Sequence, residues 1–89
     1  YAVFVTDKND LYIADTGNFV IRKVVTNGTI YTVAGIGQQK GYSGDGGLAV
    51  NAKLSLIYDV FVTNKSELYI TDVENNVVRK VLENGIIYT

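Results

Sequence analysis

"YAVFVTDKNDLYIADTGNFVIRKVVTNGTIYT" (residues 1–32) and "YDVFVTNKSELYITDVENNVVRKVLENGIIYT" (residues 58–89) align without a gap at an offset of 57, and 20 of the 32 positions are identical. Coincidence does not produce that match, so the chain reads as one repeat, a linking segment and the repeat again. Within the first copy, "VFVT" (Val3 to Thr6) is short, apolar and β-branched, and "DKND" after it supplies turn residues. "LYIAD" (Leu11 to Asp15) is a second strand followed by the turn "TGN". "VIRKVV" (Val20 to Val25) alternates, and "TNGT" carries Asn-Gly, a strong hairpin signal because both residues accept positive φ. "TIYTVAG" (Thr29 to Gly35) is the fourth strand. No helical period of 3.6 competes with this pattern.

Four short strands joined by tight turns make an antiparallel meander, the pattern of one β-propeller blade. The expected fold is therefore all-β: a propeller fragment of two four-stranded antiparallel blades. Blade 1 covers 1–35, a Gly-rich connector covers 36–57, and blade 2 covers 58–89 with its last strand cut short. "VFVT" and its copy (Val60 to Thr63) suit the crowded axis as innermost strands. In the connector, "GGLAVNAKLS" has room for one helical turn at most.

Composition narrows the function classes. With 89 residues, 47% of them hydrophobic, the chain is one small domain or part of one rather than a disordered tail. A net charge of −1 leaves no general basic footprint for nucleic acid. There is no cysteine, so neither a disulfide framework nor a thiol nucleophile is available. There is no histidine, which removes the commonest zinc ligand and general base. No apolar run approaches the roughly 20 residues of a membrane helix.

Six of the nine glycines lie between Gly35 and Gly47, in and beside "GYSGDGG" (residues 41–47). A Walker A loop needs Lys-Ser/Thr after its last glycine, and Leu48 stands there. A dinucleotide fingerprint needs a βαβ unit, and none is present. A calcium loop needs oxygen ligands at alternate positions, yet Asp45 is flanked by Gly44, Gly46 and Gly47. "DKND" (Asp7 to Asp10) fails because Leu11 occupies the next ligand position. The segment thus reads as a connector whose glycines let the chain turn, with Asp45 accepting N–H bonds from its own loop. No cofactor and no metal is expected.

Taken together, "LYIADTGNFVIRKV…NGTIYTVAGIG…GYSGDGGLAVNAKL" resembles the NHL-repeat propellers, in particular the long-repeat type also present in teneurin. The likeness covers nearly the whole chain. It implies a β-propeller of about six blades, and a binding scaffold more firmly than a reaction. The chain departs from the family's His and Arg at Phe19 and Val20, and at Asn76 and Val77; its Pro after "GDGG" is Leu48, and another near Leu56 and Ile57 is missing. "DTGN" becomes "DVEN" in the second copy, with Glu74 in the place of Gly17. If that position were left-handed, Glu74 would cost about 1 kcal/mol.

The candidate site residues recur in pairs. Asp15 and Asp72 end the second strands, and Arg22 and Arg79 lie on the third. An acid near a base invites a catalytic reading. Repetition favours the structural one, in which Asp caps its turn and Arg ties the hairpin together. Tyr1 and Tyr58, Tyr12 and Tyr69, and Tyr31 and Tyr88 also match, with Tyr42 single. Packing between blades explains them better than a carbohydrate surface does. Lys23 and Lys80 match as solvated cations. Two N-glycosylation sequons, at Asn27 ("NGT") and Asn64 ("NKS"), fall in turns.

The leading expectation is a non-catalytic extracellular or cell-surface scaffold, adhesion or self-assembly module. Its partners would be further blades of the same chain, copies of itself, or other extracellular proteins or glycans. One alternative is a segment of a propeller hydrolase or lyase whose site lies in other blades. The other is a cytosolic protein- or RNA-binding NHL domain; the near-neutral charge argues against RNA as its ligand. A blade pair leaves two apolar flanks uncovered, so the chain is expected to be an excerpt or an assembling unit.

Overall fold

The computed structural model describes residues 3–89. The pairing of Tyr1 with Tyr58 lies outside those residues. Two four-stranded antiparallel sheets follow one another, each with its strands in sequence order. The first holds β1 (Val3–Val5), β2 (Leu11–Asp15), β3 (Val20–Val24) and β4 (Ile30–Ala34). The second holds β5 (Ile57–Val62), β6 (Leu68–Asp72), β7 (Val77–Val81) and β8 (Ile87–Tyr88). Single 3-10 turns occupy Thr16–Asn18 and Ala49–Asn51. These are the two blades of a β-propeller fragment.

Alternation sets which side chains meet. In blade 2, Val60 pairs with Ile70 and Val62 with Leu68, while Ile70 pairs with Arg79 and Leu68 with Val81. These six side chains therefore share one face of the pleat, and all six are buried, as is Ile87. Blade 1 lays its opposite face on them, burying Tyr12, Ala14 and Ile21. The Phe4 and Phe61 rings meet edge to face at 5.0 Å between the innermost strands. The Thr16 hydroxyl donates to the Ile57 carbonyl at 2.9 Å, a further tie between the blades.

Three local readings change. β5 starts at Ile57, earlier than "VFVT". Its pairing with β6 shifts register between Ile57 and Asp59, so Tyr58 is a bulge residue and 74% exposed. In the Asn-Gly hairpins only the glycines are left-handed, Gly28 at φ 92° and Gly85 at φ 89°. Gly28 N–H bonds the Val25 carbonyl at 2.9 Å, as a type I turn closed by a bulge glycine requires. Asn27 and Asn84 use their side chains instead, accepting from Thr29 N–H and Ile86 N–H at 3.0 Å each. Finally, Gly17 is not left-handed. Phe19 (φ 62°) and its counterpart Asn76 (φ 56°) are, so Glu74 sits in its turn without backbone penalty.

Candidate functional site

The connector does not merely pass between blades: it wraps blade 2. Gly46 N–H donates to the Ile87 carbonyl at 2.7 Å, Ile87 N–H to Gly47 at 3.0 Å, and Ala49 N–H to Gly85 at 2.8 Å. The segment therefore runs as an added antiparallel edge along β8 and satisfies its outer backbone groups. Gly44 (φ 94°) is held against Ala52, where an added Cβ would come within 2.5 Å of the alanine Cβ. Gly47 N–H bonds the Gly44 carbonyl at 2.9 Å. With the Gly46 and Gly47 amides so engaged, the loop is not built as an anion cradle.

Beneath this wrap lies Arg79, fully buried. Its Nη1 donates to the Lys53 carbonyl at 3.0 Å; its Nη2 donates to the Ser43 carbonyl at 2.8 Å and to Asp45 Oδ1 at 2.7 Å. The Tyr42 ring lies over the guanidinium, 4.9 Å from centroid to Cζ. Thr89 donates its hydroxyl to Asp45 Oδ2 at 2.6 Å. That uses the only threonine hydroxyl proton, so Tyr42 O–H is the donor in its 2.6 Å contact with Thr89 Oγ1. The Thr89 hydrogen bond, followed by the Arg79 contact, holds the Asp45 carboxyl below its ordinary range. Asp45 thus accepts from Thr89 and Arg79, whereas its own loop was expected to supply the donors. The reason is that the loop amides face β8 while the carboxylate faces the guanidinium.

Asp72 is buried and separate from Arg79 in function. Its Oδ2 accepts from Ser55 N–H at 3.1 Å and Asn75 Nδ2 at 2.9 Å, and its Oδ1 from Asn75 N–H at 3.3 Å. Asp15 accepts from Asn18 Nδ2 at 3.0 Å, the same i to i+3 contact in blade 1. Each Asp therefore holds its turn. Arg79 reaches past its own hairpin to the connector, which corrects the expectation that it ties the hairpin together. No hydrogen bond or ion pair of Arg22 is found among the described residues, and its Nε has no partner. The Asn18 and Asn75 contacts were open to discovery, since "N" recurs at this position in both copies. Ser43, Lys53, Ser55 and Thr89 carry no pattern that marks them.

A second feature is a cleft of about 270 Å³ between the blades at one end of the innermost strands. Phe4, Tyr12, Asp10 and Lys23 line it from blade 1, and Val62 and Asn64 from blade 2. Lys23 sits 3.7 Å from Asp10 and 5.3 Å from the Tyr12 centroid. Lys80 repeats the arrangement with Glu67 (3.7 Å) and Tyr69 (5.4 Å). The lysine contacts belong to the blade itself. Among the described residues there is no group of three or more His, Cys, Asp or Glu arranged to hold a metal. Asn64 stands at the cleft, and Asn27 is exposed at its hairpin tip.

No protein-family model and no curated protein matches this chain. Solved propeller structures do match. Virginiamycin B lyase from Staphylococcus aureus superposes with a TM-score of 0.69 at 16% identity, over 98% of this chain and 25% of that one. A catalytically inactive His-to-Ala variant of that lyase, with quinupristin, gives 0.70 at 18% identity, over 100% of this chain and 26% of that one. A streptogramin B lyase gives 0.66 at 17% identity, over 98% of this chain and 24% of that one. The chain thus spans about a quarter of each lyase and shares its blade fold.

Proposed function

We propose that this blade pair is a non-catalytic repeat of an NHL-type propeller, acting as an extracellular scaffold or adhesion module. One observation carries the reading: the groups best suited to chemistry are occupied in holding the blade. Asp15 and Asp72 each accept from the asparagine three residues on, and the Arg79–Asp45 pair fastens the connector. A carboxylate whose pKa is depressed by a hydroxyl and a guanidinium is a weak general base. Exposed sequons at Asn27 and Asn64 support an extracellular setting.

The lyase resemblance favours a second reading, in which these blades frame an active site supplied elsewhere. Replacing one histidine inactivates the Staphylococcus aureus lyase, and these 89 residues contain none. The blades here would then contribute frame rather than catalyst. Two measurements test the scaffold reading. Incubation of the chain with quinupristin, followed chromatographically, should leave the compound unchanged; turnover lost on a blade substitution would overturn it. The intact mass of the protein secreted from eukaryotic cells should show glycan on Asn27 or Asn64, and full-length secretion with neither occupied counts against the extracellular setting.

A further inference from the structure

The repeat supplies its own record of what covers each face. Val3, Val5 and Ile30 of blade 1 are 59%, 56% and 49% exposed; their copies in blade 2, Val60, Val62 and Ile87, are 3%, 6% and 0% exposed. The copies are buried because blade 1 and the connector lie on them. The other flank shows the converse. Tyr12 and Ile21 of blade 1 are 5% and 0% exposed, while their copies Tyr69 and Val78 in blade 2 are 36% and 52% exposed. One end of the blade pair thus presents the surface that blade 2 offers to blade 1, and the other end presents the surface that blade 1 offers to blade 2.

From this we propose that the outward flank of blade 2 docks on the outward flank of blade 1 of a second copy of this chain, repeating the blade 1–blade 2 interface between molecules. The proposal rests on the scaffold reading and specifies its partner and its two surfaces. The contact is heterologous, because the two surfaces differ, and it propagates head to tail unless the rotation closes a ring. Phe61, 55% exposed, would meet Phe4 of the next copy as Phe4 meets Phe61 within one chain. The apolar character is right for such a contact: Val3, Val5 and Ile30 form one continuous flank with the half-buried Leu11 and Val24, through the pairings Val5 to Leu11, Leu11 to Val24 and Val24 to Ile30.

Blocking each flank separately tests the idea. Val5→Glu closes the blade 1 flank and Val78→Glu the blade 2 flank, and both positions are more than half exposed, so each variant should keep the cooperative unfolding of the parent. In sedimentation velocity over a concentration series, the parent should form a trimer or larger species. Each variant alone should remain monomeric, and their mixture should form a one-to-one dimer that grows no further. A folded parent that stays monomeric throughout overturns the proposal, as does either variant self-associating alone. The outcome is independent of the quinupristin and glycan measurements, so loss of the docking contact leaves the scaffold reading standing, and turnover would defeat that reading alone.

Discussion

Arg79 Nη2 and Asp45 Oδ1 lie 2.7 Å apart although 34 residues separate them, and the arginine is fully buried while the aspartate side chain remains 43% exposed. The pair is a clasp with one end in the blade and the other at the surface. Its strength comes less from the ion pair than from the two backbone carbonyls, Ser43 and Lys53, that the same guanidinium satisfies.

Removing the inner end should therefore be costly. Arg79→Met strands two carbonyls under the connector and should lower stability by roughly 2–4 kcal/mol. Arg22→Met, the same change at the matched position of blade 1, loses no such contact and should stay within about 0.5 kcal/mol in dilute solution. Urea unfolding midpoints of the two variants, compared at equal slope, measure the difference. Equal losses would mean that the connector contacts contribute nothing.

Acid should loosen the clasp from its outer end. The Asp45 carboxyl titrates below its ordinary value of 3.8 in the folded chain, so the unfolded state binds its proton first. The stability this contributes is fully present above that value and is lost as pH falls through the lower, folded-state pKa. Unfolding free energy should accordingly fall more steeply below pH 3.8 in the parent chain than in Asp45→Asn, which has no carboxyl to protonate. Parallel pH profiles for the two proteins would show that the Thr89 and Arg79 contacts do not bias the titration.

The blades were legible in the sequence because strand order and facing follow from local alternation, and the repeat states that alternation twice. The destination of the connector was not. "GYSGDGG" announces that the chain turns, but Gly46 bonds Ile87 and Asp45 bonds Arg79 across dozens of residues, with no period to reveal the register. The same limit hid the left-handed residue of the second turn. Glycine at position 17 drew attention to itself, while the strain falls two residues later, where blade 1 carries Phe19 and blade 2 carries Asn76. Asparagine tolerates that conformation and phenylalanine resists it, so side-chain type alone pointed to the wrong position.

That displacement gives a backbone test. Asn76 is exposed and holds φ at 56°. Asn76→Ala keeps the exposure and loses the tolerance for the left-handed region, and should cost about 1 kcal/mol. Asn76→Gly should be neutral within about 0.5 kcal/mol, since glycine adopts this φ freely. Thermal unfolding of the two variants resolves them, and an alanine variant as stable as the glycine one would refute the assignment of strain to this residue.

Two glycines of the connector separate conformational strain from steric conflict. Gly44 (φ 94°) and Gly46 (φ 85°) are both left-handed. A Cβ at Gly46 meets nothing within 4 Å, so Gly46→Ala should cost only the backbone term, about 1 kcal/mol. A Cβ at Gly44 would lie 2.5 Å from the Ala52 Cβ and 2.7 Å from its Cα. Backbone cannot step aside as a flexible side chain can, and Ala52 is fixed by its N–H bond to the Ala49 carbonyl at 3.1 Å. Gly44→Ala should therefore lift the loop, drawing Ser43 and Asp45 away from Arg79 and costing roughly 3 kcal/mol or more. Amide exchange provides a second readout. In Gly44→Ala the Gly46 and Ile87 amides, whose partners cross between connector and β8, should exchange much faster than in the parent, while the β6 amides stay protected. If Gly44→Ala and Gly46→Ala are equally mild, and the Ile87 amide stays protected in both, the connector does not close over blade 2 in the way its contacts require.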